Sequence, residues 1–158
     1  MRIEVDIACQ RLRVFEADVL RHEYPISSGA KGVGEIYGSN CTPRGKHIVR
    51  VKIGADAAVD TVFVRRRPTG ERYTPALREQ HPGRDWILTR ILWLSGKERG
   101  KNRLGLHDTM RRYIYIHGSP DDVEMGKPGS HGCIRMRNQD VIELFDQVEP
   151  GTKVDIHE

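Results

Sequence analysis

No run of about 18 apolar residues occurs anywhere in the 158-residue chain, so no transmembrane helix is encoded and no membrane insertion is expected. Cysteine is scarce and odd in number, namely Cys9, Cys41 and Cys133. Three thiols do not make a disulfide framework. A Cys9–Cys41 bridge would need an oxidising compartment, and both residues read as small structural side chains. Cys133, His131, His117 and His107 contain no pair of closely spaced ligand pairs of the kind that holds zinc, so neither metal nor cofactor is expected. There is no recognition motif and no interleaving of aromatic with basic residues, which argues against nucleic acid as a partner. The first residues, Met1 to Ile7, carry acids inside an apolar alternation, whereas a secretory leader needs an unbroken apolar core. The expectation is a cytoplasmic protein; one whose leader had been removed would belong in the periplasm or cell wall. With no internal repeat, linker or low-complexity stretch, residues 1–158 read as a single domain.

What the chain does have is alternation. Apolar residues make up 37% and charged residues 30%, and the net charge is +4, which suits an anionic partner. Ile3, Val5 and Ile7 alternate with polar neighbours, then Leu12 and Val14, then the run from Val19 to Ile26, which together predict a meander of short strands. Residues 27–45 are glycine-rich and read as loop. Val49, Val51 and Ile53 predict another strand, and Thr61 to Val64 a further short one. Pro68 to Gly83 reads as a long surface loop, of a length that in a compact domain is usually functional, as a lid or substrate wall. Trp86 to Leu94 is the most apolar stretch and predicts a central strand. Leu104 to His107, Tyr113 to Ile116, and Thr152, Val154 and Ile156 complete the set. Many short strands with one late helix predict an all-β fold, a sandwich or barrel-like sheet. The arginines at 65–67 and 111–112 read as solvated faces.

The chemistry centres on Ser130-His131-Gly132-Cys133-Ile134-Arg135-Met136-Arg137-Asn138. A free thiol has a pKa of about 8.5 and needs a base to become a nucleophile at neutral pH. His117, at the end of the run Tyr113 to Ile116, is a candidate base, and such partners meet in space rather than in sequence. Gly129 and Gly132 permit a tight turn that aims the N–H groups of Gly132 and Cys133 at a developing oxyanion. Asn138 is a candidate N-cap for a helix carrying Val141, Leu144, Phe145 and Val148 on one face. Arg135 either forks onto a substrate carboxylate or makes a structural ion pair. Ser130 either donates to substrate or pins the turn.

His117-Gly118, the unbroken Ser130 to Met136 run and Asn138 resemble the signature of the L,D-transpeptidase catalytic domain, the YkuD family. Ser27-Ser28-Gly29 and Thr42-Pro43-Arg44-Gly45 appear in the order the resemblance leads one to expect; Lys46-His47 stands where the family often has Thr-Phe. The resemblance implies a β fold with one short helix after the cysteine loop. It also implies Cys133 as nucleophile through a thioester and His117 as general base, its ring held by the Gly118 carbonyl. His131, next to the nucleophile in sequence, either supports the pocket or loop or is itself the general base. The implied substrate is the peptidoglycan stem tetrapeptide, cut before its terminal D-alanine, in a muropeptide or in the wall. Water as acceptor makes an L,D-carboxypeptidase of muropeptide recycling, which the absence of a leader favours; an amine makes 3–3 cross-links.

Overall fold

The computed structural model describes residues 1–158. It opens with β1 (Arg2–Asp6), β2 (Arg11–Glu16) and β3 (Val19–Pro25), antiparallel neighbours in sequence. Ala17 and Asp18 join the last two with both φ angles positive, the geometry that matches strand twist in a two-residue hairpin. Then come β4 (Gly45–Ile53), β5 (Thr61–Val64), β6 (Arg67–Arg72), α1 (Pro75–Gln80), β7 (Ile87–Gly96), β8 (Tyr115–Gly118), β9 (Ile134–Met136), α2 (Asn138–Gln147) and β10 (Lys153–His157). The strands form one mixed sheet in the order β3-β2-β1-β10-β4-β7-β5-β6, with β8 added to β7 and β9 to β8. The mainly β class and the late helix predicted from sequence are therefore present.

Alternation decides what is buried. Ile3 and Val5, Leu12 and Val14, Leu92 and Leu94, and Val154 and Ile156 point to one face and join a core cluster. Val141, Leu144, Phe145 and Val148 of α2 close that cluster from above. Each such side chain removed from water contributes roughly 1.5–3 kcal/mol.

Four local expectations are corrected. The predicted 68–83 loop is mostly ordered: β6 pairs with β5, and Thr74 caps α1 by accepting from the Leu77 N–H at 3.1 Å. Leu104–His107 is a 3-10 turn at Gly105–His107, not a strand. Arg137, not Asn138, occupies the N-cap of α2, because the Asn138 amide is turned sideways into the sheet, where its Oδ1 accepts from Thr89 Oγ1 at 2.7 Å. Cys9 is exposed rather than buried, and all three thiols are free.

His47 is a core histidine. Its Nδ1–H donates to the Gly45 carbonyl at 2.9 Å and its Nε2 accepts from Thr109 Oγ1 at 2.8 Å, which fixes a neutral ring. Burial pushes its pKa down to about 4. The unfolded chain takes up a proton near pH 6.5 that the folded chain refuses, so stability falls as the pH drops from about 6.5 to about 4. Urea melts across that window should show a loss of about 3 kcal/mol, and His47→Phe should remove most of it.

Candidate active site

The site is built where two parallel strands end. β8 and β9 pair in parallel, Ile116 opposite Ile134, His117 opposite Arg135 and Gly118 opposite Met136. Period two then sorts the side chains. Ile116, Ile134 and Met136 enter the main core, so His117, Arg135, Tyr115 and, one step before the strand, Cys133 share the opposite face. Cys133 packs there against Tyr115, Phe63 and Ile91. His117 stands opposite Arg135, so Cys133, two residues earlier in the neighbouring segment, is its diagonal neighbour, at a spacing of roughly 7–8 Å over which long and aromatic side chains reach one another.

Each group is fixed from behind. The His117 Nδ1–H donates to the Gly118 carbonyl at 2.6 Å, which leaves Nε2 as the proton acceptor of a buried ring. Gly118 tolerates no side chain, since a Cβ would lie 2.4 Å from Asn138 Oδ1 and 2.6 Å from the Leu88 carbonyl. Opposite this pair the β7 register shifts between Leu88 and Ile91, and Thr89 there has φ 74°, an outlier for a β-branched residue. Such bulges re-aim side chains beside active sites, and Thr89 is pinned by Asn138 and by the Asp60 N–H at 3.1 Å.

The half-buried Cys133 thiol accepts from the Tyr115 N–H at 3.3 Å and donates to the Tyr113 carbonyl at 3.3 Å. Burial above all, with Asp85 adding to it, pushes its pKa up to about 12, against the Tyr115 N–H, Arg135 and Arg112, which lower it. Burial likewise lowers the His117 pKa, opposed by Asp85 and the Gly118 carbonyl and helped by Arg135. Both groups are thus neutral at rest, and the arrangement suits proton transfer at the moment of attack rather than a standing thiolate–imidazolium pair.

The loop around the thiol is cross-braced. Ser130 Oγ donates to the Cys133 carbonyl and accepts from the Gly132 N–H at 3.1 Å. Of the two readings of Ser130 the geometry is that of the turn, and one expectation changes, that of the Gly132 N–H. The Ser130 hydroxyl proton is committed to the turn, and the Gly132 N–H is occupied, which leaves the Cys133 N–H as the unengaged donor of the two. Gly132 has φ 122°, and a Cβ there would meet the Cys41 carbonyl at 3.0 Å. Thr42 Oγ1 donates to the Gly132 carbonyl at 2.9 Å and accepts from the Gly29 N–H at 2.8 Å, and Ser27 pairs with Arg135. The Ser-Ser-Gly and Thr-Pro-Arg-Gly segments therefore do shape the site.

His131 is exposed, with Nδ1 3.8 Å from Asp85. Arg135 lies 4.0 Å from the other oxygen of the same carboxylate. A hollow between them is also lined by Arg78, Pro82 and Arg84. Asp85 was invisible in the sequence, where nothing marks one aspartate among many. Arg112 is not on a solvated face: it donates to the carbonyls of Gly34 and Cys41 at 3.1 and 2.6 Å and ties the 27–45 loop to the site. Glu4, Asp6 and His157 lie close enough for a metal, but Arg13 bridges the two acids at 3.3 and 3.0 Å.

Comparison with known proteins places this geometry. A family model for the L,D-transpeptidase catalytic domain, YkuD, matches residues 1–156. The putative L,D-transpeptidase YkuD of Bacillus licheniformis is 30% identical over 155 residues, covering 98% of this chain and 64% of that one. The Bacillus subtilis protein of the same name is 37% identical over 90 residues, covering 57% of this chain and 44% of that one. Among solved structures, L,D-transpeptidase 3 from Mycobacterium tuberculosis in complex with a faropenem-derived adduct superposes with a TM-score of 0.58 at 18% identity, over 99% of this chain and 59% of that one. At that identity the likeness is one of fold. The chain spans less than two thirds of the length of each of these proteins.

Proposed function

The chain belongs to the L,D-transpeptidase catalytic domain family, and from that premise we propose that it transfers the acyl group of peptidoglycan stem tetrapeptides through a thioester on Cys133. His117 Nε2 takes the thiol proton as sulfur attacks the carbonyl that precedes the terminal D-alanine. The Cys133 N–H faces the developing oxyanion, a contact of a kind whose loss costs about 3 kcal/mol in the barrier. The C–N bond then breaks, the imidazolium protonates the departing amine, and a thioester remains. Water or an amine attacks it, His117 takes that proton, and the proton returns to sulfur. Arg135 and His131 border the acyl-donor side, oriented by Asp85.

The observation that carries this reading is the His117 ring, locked by Gly118 at 2.6 Å with its free nitrogen on the face that holds the thiol. Incubation with a disaccharide-tetrapeptide, followed by mass analysis, tests it. Tripeptide with free D-alanine identifies water as acceptor, a peptide dimer identifies an amine, and unchanged substrate overturns the reading. Faropenem, which leaves an adduct on the Mycobacterium tuberculosis protein, serves as a second probe of the thiol.

A further inference from the structure

The turn between β5 and β6 holds an arginine where its backbone would favour asparagine or glycine. Val64 pairs with Arg67, so Arg65 and Arg66 form a two-residue turn, with φ 50° and 64°. Such turns favour Asn-Gly because side chains resist positive φ. Backbone strain of this kind points to a function when it borders a site.

Of the three consecutive arginines only Arg66 folds inward; Arg65 and Arg67 are exposed. The Arg66 guanidinium lies 4.6 Å over the Trp93 ring and 4.7 Å over the Tyr113 ring, and Nη1 donates to Tyr115 Oη at 3.0 Å. Those tyrosines are the two residues whose backbones hold the Cys133 sulfur. The guanidinium is therefore one side chain's reach from the thiol. Arg13, Arg44, Arg78 and Arg84 each have a carboxylate partner, whereas Arg66 has none, and its remaining N–H donors are free. Contact with two rings and the bond to Tyr115 Oη hold the guanidinium in place, and a pre-oriented fork matches a carboxylate bidentately. A fixed positive charge there also disfavours an ammonium group.

We propose that Arg66 is a specificity residue that binds a carboxylate of the acyl donor beside Cys133. The inference rests on the function proposed above. A stem tetrapeptide carries two candidate groups near the scissile bond, the terminal D-alanine carboxylate and the side-chain carboxylate of diaminopimelate.

The test compares kcat/KM for three disaccharide-tetrapeptides: the free acid, the terminal D-alaninamide, and the peptide amidated on the diaminopimelate side chain. The protein should discriminate against one amide by about tenfold to a hundredfold, the range for a hydrogen bond to a charged group. Arg66→Gln should lose a similar factor on the free acid and nothing further on that amide, which identifies the carboxylate. Arg66→Gly, which suits the turn backbone, should behave alike and keeps the test open if glutamine perturbs the hairpin. Equal loss on all three substrates, or no loss on any, overturns the inference while the function stands. No cleavage of any substrate by the unaltered protein overturns the function, and the inference with it.

Discussion

Cys133→Ala will fold as the parent does, form no adduct with faropenem and leave a stem tetrapeptide uncut. Cys133 carries the only thiol on the face that β8 and β9 share with His117. Its removal frees two weak contacts, from the Tyr115 N–H and to the Tyr113 carbonyl, so stability should fall by only about 1 kcal/mol. Adduct mass is the readout, because it separates loss of chemistry from loss of binding. A thiol held near 12 by burial is neutral at pH 7, so Cys133 of the parent should alkylate slowly with iodoacetamide, read by peptide mass separately from the exposed Cys9. Faropenem should acylate it readily all the same, because it brings its carbonyl to a sulfur whose proton His117 can take. Fast alkylation at pH 7 would show a standing thiolate and contradict the neutral resting pair. An adduct on Cys133→Ala would remove Cys133 from the chemistry.

The parts of this site that were legible in the sequence are those fixed by local pattern. Alternation located β1, β2, β4 and β10 because one face of each is buried, and a continuous apolar run located β7 because that central strand is buried on both faces. The Ser130 to Met136 run announced a tight loop because glycine at 132 permits such a turn, and pinning that turn is one of the two parts open to Ser130; the loop's hydrogen bonds are those of the turn. Contacts made across the sheet were not legible. Asn138 has the letters of a cap, but Thr89, 49 positions earlier, draws its amide away. Asp85, Arg66 and Arg112 gain their meaning only when β5, β7 and the 27–45 loop are folded against β8. Arginine clusters look alike in sequence whether they face water or, as Arg66 does, lie against Trp93 and Tyr113. The 68–83 segment looked like loop because three prolines and two glycines punctuate it, yet Pro75 sits in the first turn of α1, where proline is tolerated.

His117→Ala should slow thioester formation by about 10²–10⁴-fold, the usual worth of a positioned base. His131→Ala should cost far less, since that ring is exposed and meets Asp85 rather than the sulfur. The pH profile tells base from scaffold. The base works as the neutral ring, and burial holds the His117 pKa below its ordinary 6.5. Acylation by faropenem should therefore stay level as the pH falls through 6.5, and decline only below it. Asp85 favours the imidazolium, so Asp85→Asn should move that acid limb lower still, and the thiol titration with it, because the same charge raises both groups. In His117→Ala the limb should vanish, leaving a rate that climbs with pH as the thiol itself ionises. A scaffolding histidine would instead leave the limb in place at reduced amplitude. Reversal of the two alanine effects would assign the base to His131.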